Sequence, residues 1–467
     1  MQSLSLVVFG LSGVALCVLG VFARPKIALC VVASFCLVAP SISLQPGLGI
    51  LRPASLFLEI VLATMLSIMR LVGGLKLRMI PGLRCFLIFL FLGYLSGVRH
   101  GVHDSLMTQE AVLLTKGFLF AFMVAQLDWS HDDIPQLRKY FAAVTIGSVG
   151  CALANIFSPQ SWLDLTSPGT QFDLRGGIPS LIGAYSFPLV YGQTMALVTG
   201  TQIALAFAER SSTFKRVPIV LVLLVLTGLS FRREVFLGLL AGIIISMLVT
   251  RRKGTGLLVV VILPFFVLFA APTIASVATS THTQYSSGTE PRSYLSQGAF
   301  DIASRDFPLG AGLGRYGSFM ASTQYSPEYM ARGFEHIYGL SPTAPNNAYL
   351  TDTHWPQVLG EAGYLGLLAY LAALFLIGKA IFCNLKTEDG RVSTLGLVTL
   401  LSFAQCLIYS TAGPIYNTAP QYLFLFAPLG VLVSRGQSTA RKTNVRTRLD
   451  PASRRLIVYH KKLSANG

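Results

Sequence analysis

A chain of 467 residues that is 53% hydrophobic and only 12% charged carries half the charge of an average soluble domain, about 25%. A large soluble protein would need polar faces that these apolar runs lack, so that class is set aside. The formal net charge of +16 does not indicate nucleic acid, because no basic face with interleaved aromatics accompanies it.

Apolar runs lie near 3–22, 26–41, 53–69, 83–98, 110–127, 137–157, 185–208, 216–230, 234–250, 255–274, 358–382, 392–413 and 419–434. Most are long enough to cross a bilayer, although 216–230 and 419–434 are short. The pattern predicts an all-α polytopic membrane protein with 12 or 13 transmembrane helices. No basic residue precedes the first run, as a secretory signal requires, so that run reads as a retained helix. Four regions follow: a helix bundle over 1–274, a long polar segment over 275–357, further helices over 358–434 and a basic tail over 435–467.

Lys and Arg flanking membrane helices favour the cytoplasm. The linkers Arg24–Lys26, Arg70–Arg84, Arg138–Lys139, Arg210–Arg216, Arg251–Lys253 and Lys379–Arg391, with the tail from Arg435, hold most of the 36 Lys and Arg. Alternating helices put all of these on one side, with the C-terminus inside and the long polar segment outside. The tail reads as a juxtamembrane segment drawn to anionic lipid. On the opposite side lie Arg52, Arg99, Arg175, Arg232, Arg233, Arg292, Arg305, Arg315 and Arg332, with no Lys among them. Guanidinium offers a rigid fork that matches phosphate oxygens, so this face suits an anionic, phosphate-bearing substrate.

The seven Cys lie in or beside apolar runs and suggest neither a disulfide framework nor a zinc pair. GLGRYG at Gly312–Gly317 matches a dinucleotide fingerprint but lacks the strand, helix and distal acid that the fingerprint needs. Its glycines read as turns that bring backbone close to membrane or substrate. The acidic cluster Asp128, His131, Asp132 and Asp133 reads as a helix cap. Apart from Glu59, Lys116 and residues near helix ends, the helices are nearly uncharged, which gives a proton-coupled transporter little support. No metal site is expected.

The long polar segment is the chemical part of the chain. It holds His282, His336 and His354 with Arg292, Arg305, Arg315 and Arg332, and its aromatics and low net charge argue against disorder. His282 and His336 read as surface residues. Arg232 and Arg233, in the preceding outer linker, form an interfacial anchor or an anion clamp reaching toward it.

Three features then occur in order. A Ser-Arg-like linker runs from Ser230 to Arg233, Arg292 opens the long segment before the P-x-G-x-G of Pro308–Gly312, and L-x-E-x-G-x-x-G spans Leu359–Gly366. Across roughly 216–385 the sequence resembles the O-antigen ligase and O-antigen polymerase family of bacterial envelope glycan enzymes. In the ligases a His-Asn pair stands nine residues before the Glu of the loop end. Here that position is Asp352, followed by Thr353, which favours the polymerase arm.

The resemblance implies metal-independent, cofactor-free glycosyl transfer from an undecaprenyl-diphosphate-linked oligosaccharide, at a GT-C-like periplasmic loop domain of an inner-membrane protein. Asp352 or His354 would take the acceptor proton, and Glu361 would join them or orient the loop end. Arg232, Arg233 and Arg292, with Arg305 and Arg315, would bind the leaving diphosphate. Polysaccharide export or chain-length proteins are further expected partners. The readings rank as polymerase, then ligase with a lipid A-core acceptor, then a non-enzymatic transporter or assembly protein.

Overall fold

The structure is a computed structural model that describes residues 20, 23–45, 48–49, 51–130, 132–168, 173–175, 177–208, 213–250, 291–343, 349–386 and 392–449. The predicted run 255–274 and all of 3–22 except Gly20 lie outside these residues, as do His131, His282 and the linker Arg251–Lys253.

The apolar runs become helices close to their expected limits. They are α1 (Pro25–Ile42), α2 (Leu51–Val72), α3 (Leu83–Arg99), α4 (Asp104–Gln126) and α5 (Ile134–Phe157), followed by the short α6 (Pro159–Thr166). A two-residue hairpin pairs β1 (Leu174–Arg175) with β2 (Ile178–Pro179). Then come α7 (Pro188–Ala208), α8 (Thr213–Gly228) and α9 (Arg233–Thr250). The long segment forms α10 (Pro291–Arg305), α11 (Phe319–Thr323), α12 (Pro327–Met330) and a 3-10 turn at Phe334–His336, and the chain continues through α13 (His354–Cys383), α14 (Thr394–Tyr409) and α15 (Gln421–Leu449).

Among the described residues, six helices are long and apolar enough to cross a membrane: α1, α2 from Pro53, α4, α5, α9 and α13. Parts of α8 and α14 form shorter apolar helices. Phe57, Phe91, Leu248 and Phe375 stand exposed on the outside of the bundle, which suits lipid rather than water. Helices satisfy their own backbone groups, as a bilayer interior demands. The chain is a mostly helical membrane protein.

Helix α13 packs along α3 and also against α10, while α15 lies against α4, α9 against α14, and α7 against α8. Basic linkers meet at one end of the bundle. Lys26 pairs with Asp133 at 2.7 Å, and Arg70 donates to the carbonyl of Gln126 at 2.9 Å. Arg78 is buried, bonding the carbonyls of Ala125 and Leu127 and the Ser434 hydroxyl, and pairing with Asp128. The acidic cluster therefore works differently from a helix cap. Asp133 makes no capping bond to α5, and its carboxylate holds Lys26 and the Ser130 amide instead.

At the opposite end the long segment folds around its own aromatic core. Leu295, Ile302, Tyr316, Tyr325, Tyr329 and Phe334 are buried together there. Its glycine-rich strap, residues 308–318, enters the membrane bundle. Ala311 and Gly312 donate to the carbonyls of Gly360 and Glu361 at 2.8 and 2.9 Å, and Leu313 donates to that of Gly93 at 3.3 Å. Gly312 has φ +100°, and a Cβ there would strike the backbone of Gly97 on α3. Gly312 thus lets the strap lie against α3.

Candidate functional site

The turn from α8 to α9 sets the first part of the site. Phe231 adopts a left-handed φ of 51°, uncommon for a bulky residue, and it delivers Arg232 just ahead of α9. Arg232 pairs with Asp173, which precedes the β1–β2 hairpin. That hairpin region is fixed from two sides: Leu181 donates to the Leu229 carbonyl at 3.0 Å, and the Asn155 amide oxygen of α5 accepts from Ile182 at 2.8 Å. Asp173 is thereby held against Arg232, whose Nε is buried without a hydrogen-bond partner.

Arg292, in the first turn of α10, donates from Nε to Asp352 Oδ2 at 2.6 Å. Nη2 lies 2.5 Å from the same oxygen. Asp352 closes a turn in which its amide donates to the Tyr349 carbonyl at 3.1 Å, immediately before α13. Burial pushes the Asp352 carboxyl up to about 6, against the pull of Arg292. Glu234 raises it further, and Arg232 opposes that rise. Arg232, Arg292 and Asp352, which belong to three separate stretches of sequence, therefore share one electrostatic neighbourhood.

The remaining expected site residues stand elsewhere. His354 turns into the bundle, where its buried ring lies among those of Trp355, Tyr370 and Tyr416 at 5.8, 5.1 and 5.2 Å. Glu361 is fully buried and accepts from the amides of Gly314 and Tyr316 at 2.8 and 3.4 Å, anchoring the strap. Arg305 bonds Asp306 and Glu328 at the far end of α10, about 20 Å from Arg292 at 1.5 Å per residue. Arg315 rides on the strap, its Nε buried without a partner. Arg233 is exposed in the first turn of α9.

Sequence reasoning missed Asp173, Glu234 and Glu110. Asp173 lies in a short polar loop with no motif around it, and Glu234 reads as an ordinary first-turn acid. Glu110 of α4 accepts from Gln357 of α13 at 2.8 Å and from the Met320 amide of α11 at 3.2 Å, so it ties those two helices to α4. An acid at the very head of the apolar run 110–127 is the signal that points to it.

Among the described residues, no group of three or more His, Cys, Asp or Glu side chains could hold a metal ion. Fold and site together define a helical membrane protein with a paired arginine–aspartate cluster at one end of its bundle. Comparison with protein families and with curated proteins returned no match.

Proposed function

We propose that this chain transfers a saccharide from a lipid-linked diphosphate donor, and that it polymerises lipid-linked repeat units into a surface polysaccharide. The observation that carries the reading is the meeting of Arg292 and Asp352, with Arg232 close enough to act on the same carboxyl. An acceptor hydroxyl attacks the anomeric carbon and gives its proton to Asp352 as the new glycosidic bond forms. The bond from that carbon to the diphosphate oxygen breaks, and the departing charge is met by the guanidinium groups of Arg292 and Arg232.

Asp352 is the proton acceptor in this reading, because it stands with the guanidinium groups that receive the diphosphate, whereas His354 turns away from them into the bundle. At rest Arg232 and Arg292 are each held by a carboxylate. Diphosphate oxygens compete for the same forks, with charge and bidentate geometry in their favour. The cluster stands at the bundle end away from the Lys26, Arg70 and Arg78 contacts. With those basic linkers in the cytoplasm, the long segment is the periplasmic, GT-C-like domain of an inner-membrane enzyme.

The glycan profile of a deletion strain tests this function. Single repeat units left on the carrier or core indicate a polymerase. Full-length chains retained on the carrier and missing from the core indicate a ligase, and an unchanged profile defeats both.

A further inference from the structure

Immediately inside the bundle from Asp352, a run of buried polar side chains lacks partners. Thr353 is buried and its Oγ1 makes no hydrogen bond. His354 follows, with neither ring nitrogen bonded. Its main-chain amide donates to the Ser410 carbonyl at 3.2 Å, tying this point to the α14–α15 connection. The Tyr416 ring lies 5.2 Å from the imidazole, and its buried hydroxyl stands beside Ser410. Asn417 comes next, with an unpartnered Oδ1. One turn further, Gln421 donates to Gln193 of α7 at 3.2 Å, which leaves Gln421 Oε1 and Gln193 Nε2 buried and unpartnered.

Buried polar atoms are normally satisfied, so their gathering in the stretches Thr353–His354 and Tyr416–Gln421, beside a reactive carboxyl, suits a ligand. Its chemistry narrows the choice. The oxygens of Asn417 and Gln421 require donors, and ionised phosphate offers only acceptors. An isoprenoid chain offers neither. A hydroxyl both donates and accepts, as the mixture of amide, imidazole, phenol and threonine groups demands. The flanking rings of Trp355 and Tyr370 add apolar faces, against which the C–H face of a pyranose packs.

We propose that Thr353, His354, Tyr416, Asn417, Gln421 and Gln193 form a subsite for the neutral, polyhydroxylated sugar of a substrate, next to the charged cluster that takes its diphosphate. The proposal rests on the transferase reading for its purpose and on the orphaned polar atoms for its location. His354 thereby acquires a binding role in place of a catalytic one.

Saturation-transfer difference NMR tests it, using the full chain in lauryldimethylamine oxide micelles, a detergent without sugar. The probes are millimolar D-glucose, D-galactose, D-mannose and N-acetyl-D-glucosamine. At least one pyranose should receive saturation from the wild-type protein. Tyr416→Phe and Gln421→Met, which keep side-chain shape, should each cut that signal at least about threefold, and Gly147→Ala on α5, where a Cβ meets nothing, should leave it intact. No transfer to any of these sugars, or full signal in both subsite variants, overturns the subsite. An intact, variant-sensitive signal in a protein whose deletion leaves the glycan profile unchanged instead overturns the transferase reading alone.

Discussion

Arg292 and Asp352, 60 residues apart in the chain, meet so that one carboxylate oxygen takes both Nε at 2.6 Å and Nη2 at 2.5 Å of a single guanidinium. The contact joins the start of α10 to the start of α13, and so closes the long segment on itself. It also couples a diphosphate ligand to a base: drawing Arg292 toward phosphate removes the charge that lowers the Asp352 pKa. The base then strengthens as the donor binds.

The pH dependence follows from that carboxyl. Transfer needs its ionised form, and burial holds it up to about 6. At limiting donor, where the free enzyme sets the profile, activity should therefore plateau above pH 7 and fall through a midpoint near pH 6, measured as glycan extension in membranes. Because the folded value is raised, the stability linked to Asp352 is present at low pH and lost as pH rises through about 6. His354→Phe should weaken substrate binding and leave the midpoint unmoved. A midpoint that shifts or vanishes in that variant returns the proton to His354.

Replacing the arginine separates charge from geometry. Arg292→Ala should lower transfer by about 100- to 1,000-fold, the usual cost of losing one donor to a developing anion. It should also move the midpoint of the pH profile above 6, since Arg292 lowers the Asp352 value. Arg292→Lys keeps the charge but loses the fork and should fall between. Arg305→Ala, at the other end of α10, should cost stability more than it costs transfer.

Glu361 is assigned to the strap, and its amide variant decides whether that suffices. Gln can still accept from the Gly314 and Tyr316 amides, whereas Ala leaves both buried donors unsatisfied at about 1–3 kcal/mol each. Glu361→Gln should accumulate in the membrane and extend glycan, while Glu361→Ala should lose thermal stability in detergent. Equal loss of activity in both, at normal protein levels, would make the carboxylate itself catalytic.

Gly363 breaks α13 at φ 68° and ψ −165°, a region open to almost no residue but glycine. A Cβ there would collide with the backbone of Leu309. Gly363→Ala should therefore unseat the strap and abolish accumulation of the folded protein. Gly147→Ala on α5, where a Cβ meets nothing, should be neutral or slightly stabilising. Western blots of membrane fractions compare the two.

Much of the scaffold was legible because lipid-facing helices write continuous apolar runs. The expected 234–250 and 83–98 became Arg233–Thr250 and Leu83–Arg99. The α13 run begins earlier than its apolar stretch, because its first turns pack on Tyr416, on Glu110 of α4 and on the strap rather than on lipid. The grouping of Arg232, Arg292 and Asp352 was nameable from residue chemistry and motif order. Their partners were not: Asp173 reaches Arg232 across 59 residues, and Glu110 reaches Gln357 across 247, distances that no local pattern encodes. The strap glycines were read as turns, yet their function depends on α3 and α13, which a single sequence does not place beside them.

The central claim is that Asp352 and Arg292 carry glycosyl transfer from a lipid-linked diphosphate. Purified full-length protein, given lipid-diphosphate-linked repeat units from its own host, should release free lipid diphosphate and lengthen the glycan. Asp352→Asn should slow that release by about 100-fold or more, as loss of a general base does. Release at the wild-type rate from Asp352→Asn, or none from the wild-type protein, would contradict the account.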